Sequence, residues 1–96
     1  MQYDKAPDDK PSNQHVAVRV LTTSGTYPTK GHEAVPASEA VIEILKRAAK
    51  ALGIANTSDW VAKIDGNEID TSRTYAELHL HGEVKIDFGK REGGGG

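Results

Sequence analysis

Residues 36–53 read PASEAVIEILKRAAKALG, and this stretch has the clearest periodicity in the 96-residue chain. Its apolar residues recur three or four positions apart and would form one stripe along a helix: Val41, Ile44, Leu45, Ala48 and Leu52. Acidic residues come early and basic residues late, as the helix dipole favours. The pattern predicts a helix over about residues 37–52, opened by Pro36 or Ser38 and ended by Gly53.

Strictly alternating apolar residues on either side of this helix predict two strands of a sheet. Residues 15–23, HVAVRVLTT, place Val16, Val18 and Val20 on one face. Residues 83–90, EVKIDFGK, place Val84, Ile86 and Phe88 on one face of the second strand. Because these two segments alternate most cleanly, we expect both strands at the centre of the sheet.

Weaker segments complete the predicted sheet. Residues 26–35, TYPTKGHEAV, predict a strand at a sheet edge, because Pro28 cannot donate to a ladder. Residues 59–70, DWVAKIDGNEID, predict a strand, a turn at Gly66 and a second strand, and a short capped turn follows over 71–82. The predicted order is β-β-α-β-β-β, an α+β fold in which one central helix crosses a mixed sheet.

The same patterns predict the hydrophobic core. Its expected members come from the helix stripe and the inward positions of the strands: Val18, Val20, Val41, Ile44, Leu45, Leu52, Ile64, Ile86 and Phe88. Trp60 is also expected to belong to the core.

Composition limits the classes of function. The net charge is −2 and no basic stripe is visible, which argues against a nucleic-acid partner. The chain has no apolar run long enough to span a bilayer and no signal-peptide pattern, so we expect a cytoplasmic protein without a membrane partner. There are no cysteines, which excludes disulfides, thiolate metal sites and a cysteine nucleophile.

Three regions follow from these patterns. Residues 1–14 are polar and aperiodic and predict a disordered arm that is dispensable for stability. Residues 15–89 form the predicted domain, and residues 90–96 form a flexible tail. The tail belongs to the stretch GKREGGGG, whose final glycines lack Cβ atoms and could therefore enter a narrow site.

The order of elements, followed by the strand EVKIDF, the spacer GKRE and the glycines, resembles the ubiquitin-like β-grasp family. The resemblance covers about residues 15–96, and the chain is most similar in general character to the ubiquitin-like modifiers of bacterial conjugation systems. By this resemblance, Gly95 and Gly96 take the terminal diglycine positions, preceded by Gly93 and Gly94. Arg91 takes the position of a residue that partner enzymes recognise.

The resemblance implies a protein modifier that is not itself an enzyme and needs no cofactor. An activating enzyme would use ATP to adenylate the carboxylate of Gly96. A conjugating enzyme would receive the chain as a thioester and pass it to the amine of a target protein or small molecule, and a protease could reverse the attachment. Two alternatives stay open: a sulfur carrier with a C-terminal thiocarboxylate, and a non-covalent binding or assembly module.

Two other groups of residues have simpler interpretations. His79 and His81 would share a side of an extended chain, as metal ligands do, but without a third ligand nearby they are interpreted as surface histidines, and no metal site is predicted. Asp65, Glu68 and Asp70 resemble a carboxylate cluster, but a hairpin turn explains Asp65, Gly66 and Asn67, and acid–base catalysis by paired carboxylates is not expected in a domain this small. No catalytic residue is therefore predicted.

Overall fold

The computed structural model describes residues 14–91. It contains six strands and one helix: β1 His15–Thr22, β2 Gly25–Tyr27, β3 Glu33–Pro36, α1 Val41–Leu52, β4 Trp60–Ile64, β5 Asn67–Glu68 and β6 Gly82–Lys90. Apart from Gln14, Lys90 and Arg91, the residues of the predicted disordered arm (1–14) and of the predicted flexible tail (90–96) lie outside this range, so those predictions stay predictions. Lys90 is the last residue of β6, so the strand extends one residue beyond the predicted start of the tail. Within residues 14–91, no helix has the length and apolar character needed to cross a bilayer.

The strands form one mixed sheet with the order β2-β1-β6-β4-β5, and β3 also pairs with β1. Strands β1 and β6 are parallel neighbours at its centre, paired from Val16 opposite Gly82 to Leu21 opposite Asp87. Strand β4 is antiparallel to β6 on the other side. The predicted α+β fold and the central position of the two cleanest strands are confirmed.

The predicted edge strand over residues 26–35 is present as two short strands. Strand β2 pairs with the second half of β1, and β3 pairs with the first half. Pro28 lies between β2 and β3 and belongs to neither, which agrees with its lack of a backbone N–H donor. The predicted edge position is confirmed.

The helix begins later than the sequence predicts, at Val41 instead of near residue 37. Pro36 ends β3, and neither Pro36 nor Ser38 opens the helix. Ala40 keeps an extended conformation because it forms a β-bridge with Thr74. The helical conformation therefore becomes available only after this bridge.

Backbone carbonyls from a distant loop complete the first turn of α1. The N–H of Val41 donates to the carbonyl of Arg73 at 3.0 Å, and that of Ile42 donates to Thr71 at 2.9 Å. These bonds satisfy donors that otherwise lack partners at a helix start. At the other end, Gly53 adopts φ 73° and closes the helix, as predicted.

That loop, residues 71–80, is itself held by a capping box. The N–H of Thr74 donates to Glu77 Oε1 at 3.0 Å, and the N–H of Glu77 donates to Thr74 Oγ1 at 3.0 Å. The box holds the next residue, Tyr75, in the core, where its side chain is completely buried. The predicted capped turn is confirmed, and its contribution to the core is larger than expected.

Seven of the nine predicted core residues are buried: Val18, Val20, Val41, Ile44, Leu45, Ile86 and Phe88. Leu52 and Ile64 are only half-buried, so the prediction was wrong for both. Leu52 lies at the end of α1, and Ile64 lies beside the β4–β5 turn, where neighbouring elements cover only part of each side chain. The prediction also omitted Val16, Val35, Ala37, Ala48, Ala62, Tyr75 and Val84.

Candidate functional site

The candidate site is the end of β6, where the chain leaves the centre of the sheet. Lys90, the last residue of β6, lies opposite Trp60 of β4. The N–H of Arg91 then donates to the carbonyl of Asp59 at 2.9 Å, one residue beyond the end of the strand. The backbone is therefore held in place up to the residue that precedes Glu92 and the glycines.

The side chain of Arg91 is held as well. Its Nη2 lies 3.1 Å from Glu68 Oε2 and its Nη1 lies 3.5 Å from Glu68 Oε1, so the guanidinium spans both carboxylate oxygens. The Arg91 side chain is still 63% exposed. Sequence reasoning singled out Arg91 but missed Glu68 as its partner, since the two residues are far apart in the chain.

A groove of about 550 Å³ adjoins this exit. Its lining includes Ile42, Trp60, Ile69, Phe88 and Arg91. Trp60 packs edge-to-face on Phe88 with ring centroids 5.0 Å apart, which fixes the indole next to the exit. The indole Nε1 is buried and has no acceptor among residues 14–91.

The carboxylates near the hairpin have separate roles. Asp65 and Gly66 form the turn between β4 and β5, and both have positive φ. Asp70 accepts bonds from the hydroxyl of Ser72 at 2.6 Å and from its N–H at 3.0 Å. These bonds lower the pKa of the Asp70 carboxyl. The geometry agrees with the turn interpretation for Asp65, whereas Glu68 pairs with Arg91.

No three side chains of the metal-binding types cluster closely enough to hold a metal ion in the part of the chain that the structure describes. His79 and His81 are both exposed, as the sequence interpretation expects. They line a different groove on the sheet, away from the end of β6.

A second polar cluster joins α1 to the segment that precedes it. Arg47 Nη2 lies 3.2 Å from Glu33 Oε2 and 3.1 Å from Glu39 Oε2. A hydrogen bond to Glu33, together with partial burial, raises the pKa of the Tyr27 hydroxyl. Burial also raises the pKa of Tyr75, whose hydroxyl has no partner among the described residues. These contacts hold the helix against the strands, and none of these residues lies at the end of β6.

The predicted site residues divide into two groups. Arg91 lies at the strand exit, in the position that the sequence indicates. The conjugation residues Gly93, Gly94, Gly95 and Gly96 lie outside the described residues, so their predicted role is untested.

Comparison with known proteins establishes the fold. No protein-family model and no curated protein matches the chain. Among solved structures, a de novo protein designed on the basis of ubiquitin is similar, with a TM-score of 0.63 and 18% identity. The match covers 86% of this chain and 96% of the designed one. The chain therefore has a ubiquitin-like β-grasp fold.

Proposed function

We propose that the protein is a ubiquitin-like modifier of the kind that acts in bacterial conjugation systems. One observation carries the proposal: the glycine run follows the central strand β6 after only Arg91 and Glu92. Residues without Cβ atoms thus follow, within two positions, a strand end at which the N–H of Arg91 is bonded to Asp59. This is the arrangement that attack on a glycine carboxyl group by a partner enzyme requires.

The chemistry would proceed at Gly96 in the form of the protein that ends there. An activating enzyme would join the Gly96 carboxylate to the AMP part of ATP and release pyrophosphate. A cysteine thiolate of a partner enzyme would then displace AMP and form a thioester. An amine of the target would displace the thiolate and form an amide, so this chain supplies the acyl group and no catalytic side chain.

Several partners follow from this scheme. The activating enzyme holds the ATP, a conjugating enzyme carries the thioester, and a protease can cleave the product. The target is a protein or a small molecule with a free amine, and the reactions take place in the cytoplasm. Arg91 would contribute to recognition because its guanidinium is largely exposed even while it contacts Glu68.

The test compares the full chain with a variant that lacks all four glycines, Gly93, Gly94, Gly95 and Gly96. Each protein is incubated with the candidate activating enzyme and ATP, and the thioester is detected on a non-reducing gel. We expect a thioester only from the full chain, with identical circular dichroism and melting for both proteins. A matched control replaces exposed Lys46 with Ala and is expected to form the thioester normally.

Two outcomes identify the alternatives. If both proteins give the same thioester yield, the modifier proposal fails, and a non-covalent binding module is favoured. If incubation with the activating enzyme, ATP and a sulfur donor replaces the AMP of the Gly96 adenylate with sulfur and gives a thiocarboxylate, seen by intact mass, and no amine conjugate forms, the protein is a sulfur carrier.

A further inference from the structure

The β2–β3 loop, residues 28–32, is longer than the sheet requires. Tyr27, at the end of β2, lies opposite Val20 of β1, and Glu33, at the start of β3, lies opposite Val18. These two points are two residues apart on β1, a distance of roughly 7 Å. A single residue would bridge that distance, but the whole loop lies between Tyr27 and Glu33. The surplus residues therefore have to leave the edge of the sheet.

Lys30 is the central residue of this loop and is open to solvent. Residues 29–32 are all exposed, and no backbone hydrogen bond joins the loop to the rest of residues 14–91. No carboxylate of that range lies within 4.0 Å of the Lys30 amine. A side chain at the next residue, Gly31, would have no atom within 4 Å of its Cβ. The Lys30 amine can therefore be reached without opening any helix or strand.

The other lysines within residues 14–91 are held in regular structure. Lys46 lies 3.8 Å from Glu43 on α1, and Lys50 lies in the last turn of the same helix. The remaining ones lie in strands: Lys63, Lys85 and Lys90. An enzyme that modifies a lysine has to bring it into its own active site, which an exposed loop allows more readily than a helix or a paired strand. Lys30 is thus the best placed acceptor in this part of the chain.

We propose that Lys30 is a modification site, the amine to which a second copy of this chain is attached through its Gly96 carboxyl group. The inference rests on the proposed function, because it names an acceptor for the thioester described there. Lys30 first loses a proton to water, and its neutral amine attacks the carbonyl carbon of the thioester. The C–N bond forms, the C–S bond breaks and the partner cysteine leaves as a thiolate. The nitrogen then loses a second proton to water, and an isopeptide bond joins the two copies.

The test incubates the full chain with the activating enzyme, the conjugating enzyme and ATP, and isolates dimers from a reducing gel. Trypsin cleaves after Arg91 and leaves residues 92–96 on the acceptor lysine, where mass spectrometry locates them. We expect this remnant on Lys30. Lys30→Arg should remove most of the dimer, because a guanidinium stays protonated and does not attack a thioester. Lys50→Arg, at an exposed position of α1, is the matched control and should leave the dimer yield unchanged.

The thioester yield separates this inference from the proposed function. It should be equal for the unmodified sequence, Lys30→Arg and Lys50→Arg, because neither substitution touches the tail. If the thioester forms but no dimer appears, or the remnant lies on another lysine, the assignment of Lys30 is wrong and the proposed function stands. If no thioester forms, both are wrong.

Limited digestion with trypsin tests the loop without partner enzymes. We expect the first cut within residues 14–89 to follow Lys30, because proteases cleave exposed loops before helices and paired strands. Earlier cleavage after Lys46, Lys50 or Lys63 would overturn the geometric argument for Lys30.

Discussion

Arg91 Nη2 lies 3.1 Å from Glu68 Oε2, and this contact joins the residue that follows the central strand to the short strand at the edge of the sheet. The backbone N–H of Arg91 is bonded to Asp59 at the same time. Two contacts from different segments therefore fix the point at which the tail leaves the domain.

The Glu68–Arg91 pair should contribute little to stability, because both side chains are exposed and water screens their attraction. A double-mutant cycle of Glu68→Gln and Arg91→Gln should give a coupling free energy of about 0–1 kcal/mol in urea unfolding. Under the proposed function, Arg91→Gln lowers the thioester yield, whereas Glu68→Gln does not. Equal loss of yield in both variants would mean that thioester formation needs the Glu68–Arg91 contact and does not depend on the guanidinium alone.

Leu45 should be essential to the core, because its side chain on α1 is only 1% exposed. Leu45→Ala is expected to lower the free energy of unfolding by about 2–5 kcal/mol, measured by urea unfolding. The neighbouring exposed residue provides the control, since Lys46→Ala should change it by less than about 0.5 kcal/mol. A negligible effect of Leu45→Ala would contradict the burial of the helix stripe.

Replacing Tyr75 with Phe should stabilise the protein. Its ring is completely buried, but its hydroxyl has no hydrogen-bond partner among residues 14–91. Tyr75→Phe removes the desolvation cost of that hydroxyl and should raise the free energy of unfolding by about 1 kcal/mol. Tyr75→Ala, which removes the ring as well, should cost about 3–5 kcal/mol. A clear loss of stability in Tyr75→Phe would reveal a partner for the hydroxyl.

Stability should also fall at alkaline pH. Burial raises the pKa of Tyr75 above its value in the unfolded chain, so the unfolded state loses this proton first. The contribution of protonated Tyr75 to the free energy of unfolding is therefore complete below about pH 10, and it is lost as the pH rises further. Unfolding measured across this range should show a smaller decline in Tyr75→Phe. Tyr27→Phe should reduce the decline as well, since hydrogen bonding to Glu33 raises the pKa of Tyr27.

Thr74 should stabilise the start of α1 indirectly. Its hydroxyl completes the capping box of the loop whose carbonyls, on Thr71 and Arg73, accept the first N–H groups of the helix. Thr74→Ala is expected to cost about 0.5–2 kcal/mol in thermal unfolding. Thr23→Ala, in the exposed turn after β1, is the matched control and should have little effect. Equal effects of the two substitutions would argue against the capping role.

Periodicity made the main elements of the fold predictable. The alternation at Val16, Val18 and Val20 and the stripe through Ile44 and Leu45 directly reflect which faces are buried. The start of the helix could not be predicted in the same way. It depends on hydrogen bonds to a loop about thirty positions later, and no local pattern contains that information.

The candidate site was predictable in part. Arg91 was identified from its place between the last strand and the glycines, but its contact with Glu68 depends on how β5 pairs with β4. The burial of Tyr75 was missed because the residue lies in a loop without apolar periodicity. The parallel register of β1 and β6 also could not be predicted, because two separate alternating patterns do not reveal how the strands pair.

The parallel pairing of β1 with β6 also governs when the protein can fold during its synthesis. A nascent chain that has emerged only as far as the capping-box loop contains β1 with its short partners β2 and β3, the helix α1 and the β4–β5 hairpin. It leaves a gap between β1 and β4 in the sheet. Strand β6 fills that gap, and it does so with contacts that are distant in sequence. We therefore expect the ribosome-bound chain to stay sensitive to proteases until residue 90 has left the exit tunnel, and then to become resistant in one step.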